Sequence, residues 1–261
     1  MPVSMTALCD DLAAESAELR AVLAGLSESD WRRETPAEGW TVLDQVSHLA
    51  YFDDVALRSA TDPDAFTAEK AAMDAEGGVS PDTIAARFRS MSGAEMLAWF
   101  DEARTRLIDG FRDLDPKTRV PWFGPPMAVA SSLTARIMET WAHGQDVFDT
   151  VGAVHPPSER LRHVAHIGVG ARAFSYLAHG LEMPDVPIRV ELTAPDGSSW
   201  TWGPGDAADR ISGPAEDFAL LITQRRHRDD LALEVVGDAA TEWVRIGQAF
   251  AGEPGTGRKP R

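Results

Sequence analysis

The sequence predicts an α+β protein in which an N-terminal four-helix bundle precedes a smaller C-terminal α+β domain. Apolar residues recur at helical spacing in four long stretches before residue 152, as expected for the helices of a bundle. After about residue 185 the pattern changes, because short segments alternate apolar and polar residues as strands do. The predicted parts are a bundle over 1–156, a connecting helix over 157–184, an α+β domain over 185–250 and a disordered tail over 251–261.

The four bundle helices are predicted from their apolar faces. In the first, Leu8, Leu12 and Leu19 fall at helical spacing, and charged residues fill the opposite face. The second begins after Thr41, where Asp44 stands three residues after the cap and completes a capping box. The predicted helices cover residues 6–26, 42–60, 93–114 and 127–150.

Two segments between these helices have their own composition. Residues 62–81 are polar and rich in helix breakers, so we expect a loop with room for a short helix. Residues 120–126, ValProTrpPheGlyProPro, are aromatic and stiff. This second segment is expected either to wall a pocket or to plug the end of the bundle, and the sequence leaves both interpretations open.

The second half of the chain is expected to begin with a helix over 158–179 and a β-hairpin. Ile188 to Thr193 alternates as a strand does, AlaProAspGlySerSer provides the turn, and TrpThrTrp returns. The further predicted elements are a Gly-Pro link over 211–215, a helix over 216–224, a strand over 231–237 and a helix over 239–249.

Charge and composition exclude several classes of protein. The 41 acidic and 25 basic residues give a formal net charge of −16, which disfavours nucleic acids and anionic membranes as partners. A local basic patch of Arg225, Arg226 and Arg228 still provides a place for a small anion. The one cysteine, Cys9, permits neither an intramolecular disulfide nor a cysteine-rich zinc site. With neither a signal peptide nor an apolar run of membrane-spanning length, a cytoplasmic location is expected.

Three residues, His48, Glu139 and His143, are the candidate ligands of a divalent metal. Glu139 and His143 stand four residues apart in MetGluThrTrpAlaHisGlyGlnAsp, so on a helix they share one face. His48 belongs to another predicted helix, on the side that also carries Phe52 and Val55. Two imidazoles and a carboxylate suit zinc or a similar metal, and three protein ligands leave a coordination position open for chemistry. Such a Glu–His pair taken by itself is more often a solvated or locally paired couple.

Two stretches of the bundle together resemble a known family. ProAlaGluGlyTrpThrValLeuAspGlnValSerHisLeu (36–49) and GluThrTrpAlaHisGlyGlnAsp (139–146) resemble the metal-binding domain of mycothiol-dependent maleylpyruvate isomerases, within the DinB-like four-helix-bundle superfamily. The resemblance covers about residues 6–151. Residues 210–239 resemble the C-terminal domain attached to these proteins, which is similar to sterol-carrier folds. Some chains of this shape carry a wyosine-base-formation label, which the acidic charge here makes a poor guide to activity.

The resemblance implies roles for several residues. His48, Glu139 and His143 become metal ligands, with Asp146 either an anchor for the site or an exposed acid on the same helix. Arg225 or Arg226 is the nearest counterpart of an arginine that binds the substrate carboxylate in the isomerases.

Other residues are weaker candidates for a functional role. Asp53 lies about 140° around the helix from His48 and is a poor co-ligand. His163 and His166 are expected in surface or packing roles, and Trp40 is expected to pack the beginning of its helix.

Two classes of function follow, with a third held in reserve. In the first, a metal-dependent enzyme, zinc holds a low-molecular-weight thiol as a thiolate, which attacks a small electrophile in an isomerisation or an S-transfer. The resemblance implies mycothiol as that cosubstrate, and an arginine of the second domain, Arg225 or Arg226, is expected to face the metal cleft. In the second, the chain is a non-catalytic protein that binds metal or a small ligand. The reserve interpretation is a hydrolase that uses zinc-bound hydroxide.

Overall fold

Helices make up the first part of the chain, and helices around a small sheet make up the second, in a computed structural model that describes residues 4–75, 78, 80–255 and 257–260. The chain divides into two units, Met1–His155 and Pro156–Arg261. The predicted α+β class with a helical N-terminal part is confirmed. No helix among the described residues has the length and apolar character that crossing a membrane requires.

Four long helices form the bundle of the first unit. They contact one another in the cyclic order α1, α7, α3, α6 and back to α1, as neighbours in a four-helix bundle do. A two-residue antiparallel ladder of β1 and β2 precedes the last of them. The elements are α1 (Met5–Leu23), α2 (Glu28–Trp31), α3 (Val42–Thr61), α4 (Pro63–Ala75), α5 (Pro81–Ala86), α6 (Gly93–Phe111), β1 (Arg119–Val120), β2 (Met127–Ala128) and α7 (Val129–Val151).

Local sequence signals set the ends of these helices. The predicted capping box of α3 is present: Thr41 Oγ1 accepts a hydrogen bond from the Asp44 backbone N–H, and the Asp44 carboxylate accepts one from Thr41 N–H at 2.9 Å. An equivalent box of Ser92 and Glu95 begins α6. The long helix α7 ends at Gly152, whose φ of 73° lies in the left-handed region that glycine adopts without strain. These caps set the ends of the helices and therefore where the candidate ligands of α3 and α7 lie along the bundle.

The segment 62–81, predicted as a loop with room for a short helix, contains the long helix α4, so the predicted extent of the loop was wrong; positions 76, 77 and 79 lie outside the described residues. The helix α4 spans 13 residues, yet Phe66 is its one buried residue. Phe66 stacks on Trp122 at an interplanar angle of 4°, with ring centroids 6.0 Å apart. The Phe66 ring also meets Phe123 edge-on at 5.5 Å, so one buried side chain in contact with the 120–126 segment anchors a helix whose own composition is largely polar.

The second unit places helices beside a four-stranded sheet. The strand order is β4-β3-β5-β6, with β3 parallel to β5 and the other neighbours antiparallel. The predicted hairpin is confirmed as β3 and β4. The elements are α8 (Leu161–Gly170), α9 (Arg172–Ala178), β3 (Ile188–Thr193), β4 (Ser199–Trp202), β5 (Asp209–Pro214), α10 (Ala215–Ile222), a 3₁₀ turn (Arg228–Asp230), β6 (Glu234–Val236) and α11 (Asp238–Ile246).

Two elements of this unit differ from the sequence predictions. The expected link over 211–215 is largely the central strand β5, because Ile211 is fully buried between β3 and β6. The expected helix over 158–179 is two helices that break at Ala171, where ψ is 3°. Of the predicted tail over 251–261, the described residues contain neither helix nor strand, and positions 256 and 261 lie outside the described residues.

Candidate metal centre

The neighbouring helices α3 and α7 bring three candidate ligands together. Glu139 and His143 project from successive turns of α7, and His48 projects from α3. Glu139 Oε2 lies 3.1 Å from His143 Nε2 and 3.6 Å from His48 Nε2. One ligand atom from each residue lies within 4.8 Å of the others, a spacing that one metal ion can bridge. The predicted cluster is therefore assembled in space, and its side chains are only 12 to 20% exposed.

A chain of hydrogen bonds fixes the tautomer of His143. The Thr35 hydroxyl donates to the Trp40 carbonyl at 2.9 Å, so its oxygen accepts from Gln45 Nε2 at 2.8 Å. That bond turns Gln45 Oε1 toward His143 Nδ1, 2.5 Å away, and an amide oxygen only accepts. His143 Nδ1 therefore carries a hydrogen, and its Nε2 faces Glu139 Oε2; in the neutral ring that nitrogen bears the lone pair that a metal would take.

The carboxylate of Glu139 is held in its charged form. Burial raises the pKa of Glu139, but the neighbouring imidazoles of His143 and His48 outweigh burial and hold the pKa well below its usual range. Glu139 is thus an anion at neutral pH. An anion between two imidazoles is the charge arrangement that a divalent cation completes.

His48 is less well satisfied by the protein. Its Nδ1 is buried and has no hydrogen-bond partner among the described residues. Its Nε2 is 3.6 Å from Glu139 Oε2, which exceeds the length of a normal hydrogen bond. A buried polar ring without partners is costly, and a metal ligated by one of the two nitrogens would remove that cost. The residues present therefore fit a divalent metal.

Aromatic side chains enclose the cluster. The Trp40 ring stacks on His143 at 5.8 Å between centroids and tilts against His48 at 5.6 Å. Phe52 lies 4.6 Å from the His48 ring on the other side. Trp40 Nε1 donates to Asp82 of α5 at 2.6 Å, which fixes the indole over the two imidazoles. The prediction that Trp40 packs the beginning of α3 omitted this contact with both candidate ligands.

The aromatic segment 120–126 extends this wall. Trp122 and Phe123 have ring centroids 6.3 and 6.0 Å from that of Phe52, which in turn touches His48. Phe123 is 39% exposed, so the segment is not simply a buried plug. Of the two interpretations that the sequence left open, the contacts favour a wall beside the candidate site.

A buried ion network beside the cluster was not predicted from the sequence. Asp53, one turn beyond His48 on α3, is fully buried. Its carboxylate accepts from Arg104 Nε at 2.6 Å and from Arg136 Nε at 2.9 Å. Arg104 also donates to Thr140, the neighbour of Glu139, at 3.0 Å. Burial lowers the pKa of Arg104, and the charge of Asp53 opposes that shift. The network ties α3, α6 and α7 together where two of them carry candidate ligands.

A second group of metal-ligating type, Glu15, Glu18 and His155, occurs in the first unit. His155 Nδ1 lies 3.1 Å from Gln145 Oε1, and its Nε2 lies 3.1 Å from Glu15 Oε1. The ring also stacks on Phe148 with centroids 4.4 Å apart. Both nitrogens of His155 face side-chain oxygens of Gln145 and Glu15, and we interpret these contacts as a buried polar cluster that holds the end of α7.

The remaining candidates divide between the two units. Asp146 is fully buried, so it is not the exposed acid that one interpretation allowed. Arg225 and Arg226 follow α10 in the second unit, where the backbone N–H groups of both donate to the Leu220 carbonyl. His166 Nδ1 accepts from Trp202 Nε1 at 3.3 Å, a packing role as expected.

The fold and the cluster define a class: a helical-bundle protein whose core carries a candidate site for a divalent metal. A family model described as the mycothiol maleylpyruvate isomerase N-terminal domain matches residues 12–148, and one described as wyosine base formation matches residues 184–234. The chain belongs to the mycothiol maleylpyruvate isomerase family.

Relatives and solved structures are similar to this chain over most of its length. Two uncharacterized proteins of Mycobacterium tuberculosis, from strains CDC 1551 / Oshkosh and ATCC 25618 / H37Rv, are each 44% identical over 248 residues, covering 95% of this chain and 96% of theirs. The crystal structure of the mycothiol-dependent maleylpyruvate isomerase aligns with a TM-score of 0.60 at 17% identity, over 89% of this chain and 93% of that one. A histidine-to-alanine mutant of it aligns equally at 14% identity. At these identities the two structures establish the fold alone.

Proposed function

We propose that this protein is a metal-dependent enzyme that activates a low-molecular-weight thiol for attack on a small electrophile, in an isomerisation or an S-transfer. The observation that carries the proposal is the cluster of His48, Glu139 and His143, whose ligand atoms lie within 4.8 Å of one another. Family membership supports a thiol of the mycothiol type. Zinc is the metal that two imidazoles and a carboxylate suit best.

Each part of the site has a chemical task in this proposal. His48, Glu139 and His143 would hold the metal, which when bound lowers the pKa of a coordinated thiol so that a thiolate is present near neutral pH. Gln45 keeps the His143 ring in one orientation. Trp40 and Phe52 limit the water around the cluster, which strengthens electrostatic interactions there. Cys9 is fully buried in the bundle, so the nucleophile comes from the thiol cosubstrate.

The arginine predicted to bind an anionic electrophile is retained as part of the proposal. Arg225 Nη1 donates to the Thr223 carbonyl, and Arg226 Nη1 donates to the Arg225 carbonyl. A guanidinium matches the two oxygens of a carboxylate with paired hydrogen bonds, which is the contact proposed here for the substrate. Loss of turnover in Arg225→Ala or Arg226→Ala at unchanged metal content would support this role, and an active double variant would end it.

The function is tested with zinc-loaded protein and a panel of thiols and electrophiles. Mycothiol, cysteine and glutathione are each combined with maleylpyruvate, an epoxide and an alkyl halide, and thiol consumption and isomer formation are followed. We expect turnover with mycothiol that His143→Ala abolishes and that His163→Ala, a histidine of α8 outside the cluster, leaves unchanged. Saturable thiol binding without turnover of any electrophile would contradict the enzyme and favour a binding protein.

A further inference from the structure

The second unit contains a basic cavity in an otherwise acidic chain. The cavity measures about 550 Å³ and lies beside the end of α10 and the last turn of α11. No aspartate or glutamate is among the described residues that line it, although acidic residues outnumber basic ones by 41 to 25 in the chain. Its basic lining residues are His179, Arg226, His227, Arg228, Arg245 and Arg258.

We propose that this cavity is a binding site for a small polyanion, a molecule that carries several phosphate or carboxylate groups. Guanidinium groups match the oxygens of both groups with paired hydrogen bonds. One monocarboxylate would need a single guanidinium, whereas Arg228 and Arg245 bring two to this cavity from separate segments. Its volume also lies within the range of small-molecule sites. The described lining residues belong to the second unit, and the test below replaces Arg228 and Arg245 and not Arg226, so its outcome is independent of the metal chemistry proposed for the bundle.

The arginines are placed to offer donors to a ligand. Arg228 donates from Nη1 to the Leu231 carbonyl at 3.2 Å and from Nη2 to the Leu233 carbonyl. These bonds anchor the side chain within its own loop and leave three of its five N–H groups for other partners. Arg245 comes from the last turn of α11, a different element, so the cations converge from separate segments.

The two histidines of the lining, His227 and His179, add ring nitrogens whose hydrogen-bond partners are defined. His227 Nδ1 accepts a hydrogen bond from the Asp229 backbone N–H at 3.2 Å, so the neutral ring carries its hydrogen on Nε2. His179 Nδ1 donates to the Ser175 carbonyl at 2.9 Å. The Asp229 carboxylate approaches His227 Nδ1 at 3.5 Å, but its side chain is 75% exposed and does not line the cavity.

The backbone of one cavity-lining residue, Gln224, is also unusual. Gln224 has a φ of 58°, and it is the one described residue other than glycine with a positive φ. Its Nε2 donates to the Gly247 carbonyl, and a Cβ at Gly255 would lie 2.0 Å from its Oε1. All three residues line the cavity. Strained backbone persists where surrounding structure enforces it, often at ligand sites, and here it shapes the wall that carries Arg226 and Arg228.

The test is calorimetric titration of the full, metal-free chain with inorganic pyrophosphate and, separately, with citrate at constant ionic strength. Metal must be removed because both probes chelate divalent cations. We expect saturable binding that weakens by at least about tenfold in Arg245→Gln and in Arg228→Gln. Arg210→Gln is the matched control, because Arg210 lies on β5 of the same unit, donates to the Gly205 carbonyl and does not line the cavity.

Each outcome decides the proposal. Pyrophosphate binding assigns phosphate recognition and citrate binding assigns carboxylate recognition, provided that Arg245→Gln weakens it and Arg210→Gln does not. The site is refuted if neither probe binds at millimolar concentration, or if both cavity variants bind as the parent does. Arg245 is exposed at the end of a helix, so Arg245→Gln tests the site even if Arg228→Gln unfolds. Thermal melts followed by circular dichroism verify that the variants compared are folded.

Discussion

Replacing Asp53 by asparagine should destabilise the helical bundle far more than a surface charge change would. Asp53 is the one carboxylate that the described contacts place on both Arg104 and Arg136, and all three side chains are at most 5% exposed. Asp53→Asn keeps the size of the side chain but removes its charge. Two guanidinium groups then remain buried without a counterion between them.

The magnitude follows from this burial. Breaking a buried ion pair by removing one partner costs about 3–5 kcal/mol, because a charge stays desolvated without compensation. The neighbouring Asp54 provides a matched control on the same helix. Its carboxylate meets Arg106 at 2.7 Å, but these side chains are 29 and 48% exposed, and such pairs contribute at most about 1 kcal/mol.

Native-state hydrogen exchange of α3 and α7 measures both variants. A loss of 3–5 kcal/mol accelerates exchange of the slowest amides by about two to three and a half orders of magnitude, since each 1.4 kcal/mol is tenfold. Asp54→Asn should change exchange by less than about tenfold. Replacing Asp53, Arg104 and Arg136 together by leucine or methionine should recover much of the loss. Asp53→Asn exchanging like Asp54→Asn would refute the reasoning.

Two further predictions concern packing. Burial raises the pKa of the Cys9 thiol, whose Sγ donates to the Ile108 carbonyl at 3.6 Å. The native protein should therefore react with a disulfide reagent only at its unfolding rate. Fast stoichiometric labelling in buffer would contradict this. Gly168→Ala should destabilise the second unit by about 1–3 kcal/mol in urea, because the new Cβ would lie 2.7 Å from Ile222. Gly170→Ala, on the same helix with nothing within 4 Å, should be neutral or stabilising, and equal effects would overturn the argument.

The candidate ligands could be predicted from the sequence because helix geometry decides their placement. Glu139 and His143 share a face because residues four apart in a helix lie on successive turns. His48 lies on the apolar side of α3, which predicts that it points inward. Their convergence then requires only that two neighbouring helices pack. Gln45 was harder to recognise, since its role depends on a rotamer that Thr35 fixes from outside the helix.

Elements that depend on distant partners could not be predicted. The helix α4 is stabilised by the contact of Phe66 with Trp122, which no local pattern reveals. The strand β5 ends in Gly213 and Pro214, which read as a link, and only pairing with β3 and β6 makes the segment the middle of a sheet. The spacing of Asp53 from His48 identifies it as a poor metal co-ligand but does not reveal what it binds. Its actual partners are 51 and 83 residues away in sequence.

The most direct test of the account is the metal content of protein purified without chelator, measured by inductively coupled plasma mass spectrometry. The parent and His163→Ala should carry a stoichiometric divalent metal, while His48→Ala and His143→Ala should lose most of it. If the bound metal is zinc, X-ray absorption should give metal–nitrogen distances of ~2.0–2.1 Å. His48→Ala and His143→Ala proteins that retain as much metal as the parent would contradict the central claim, because the metal would then be bound elsewhere.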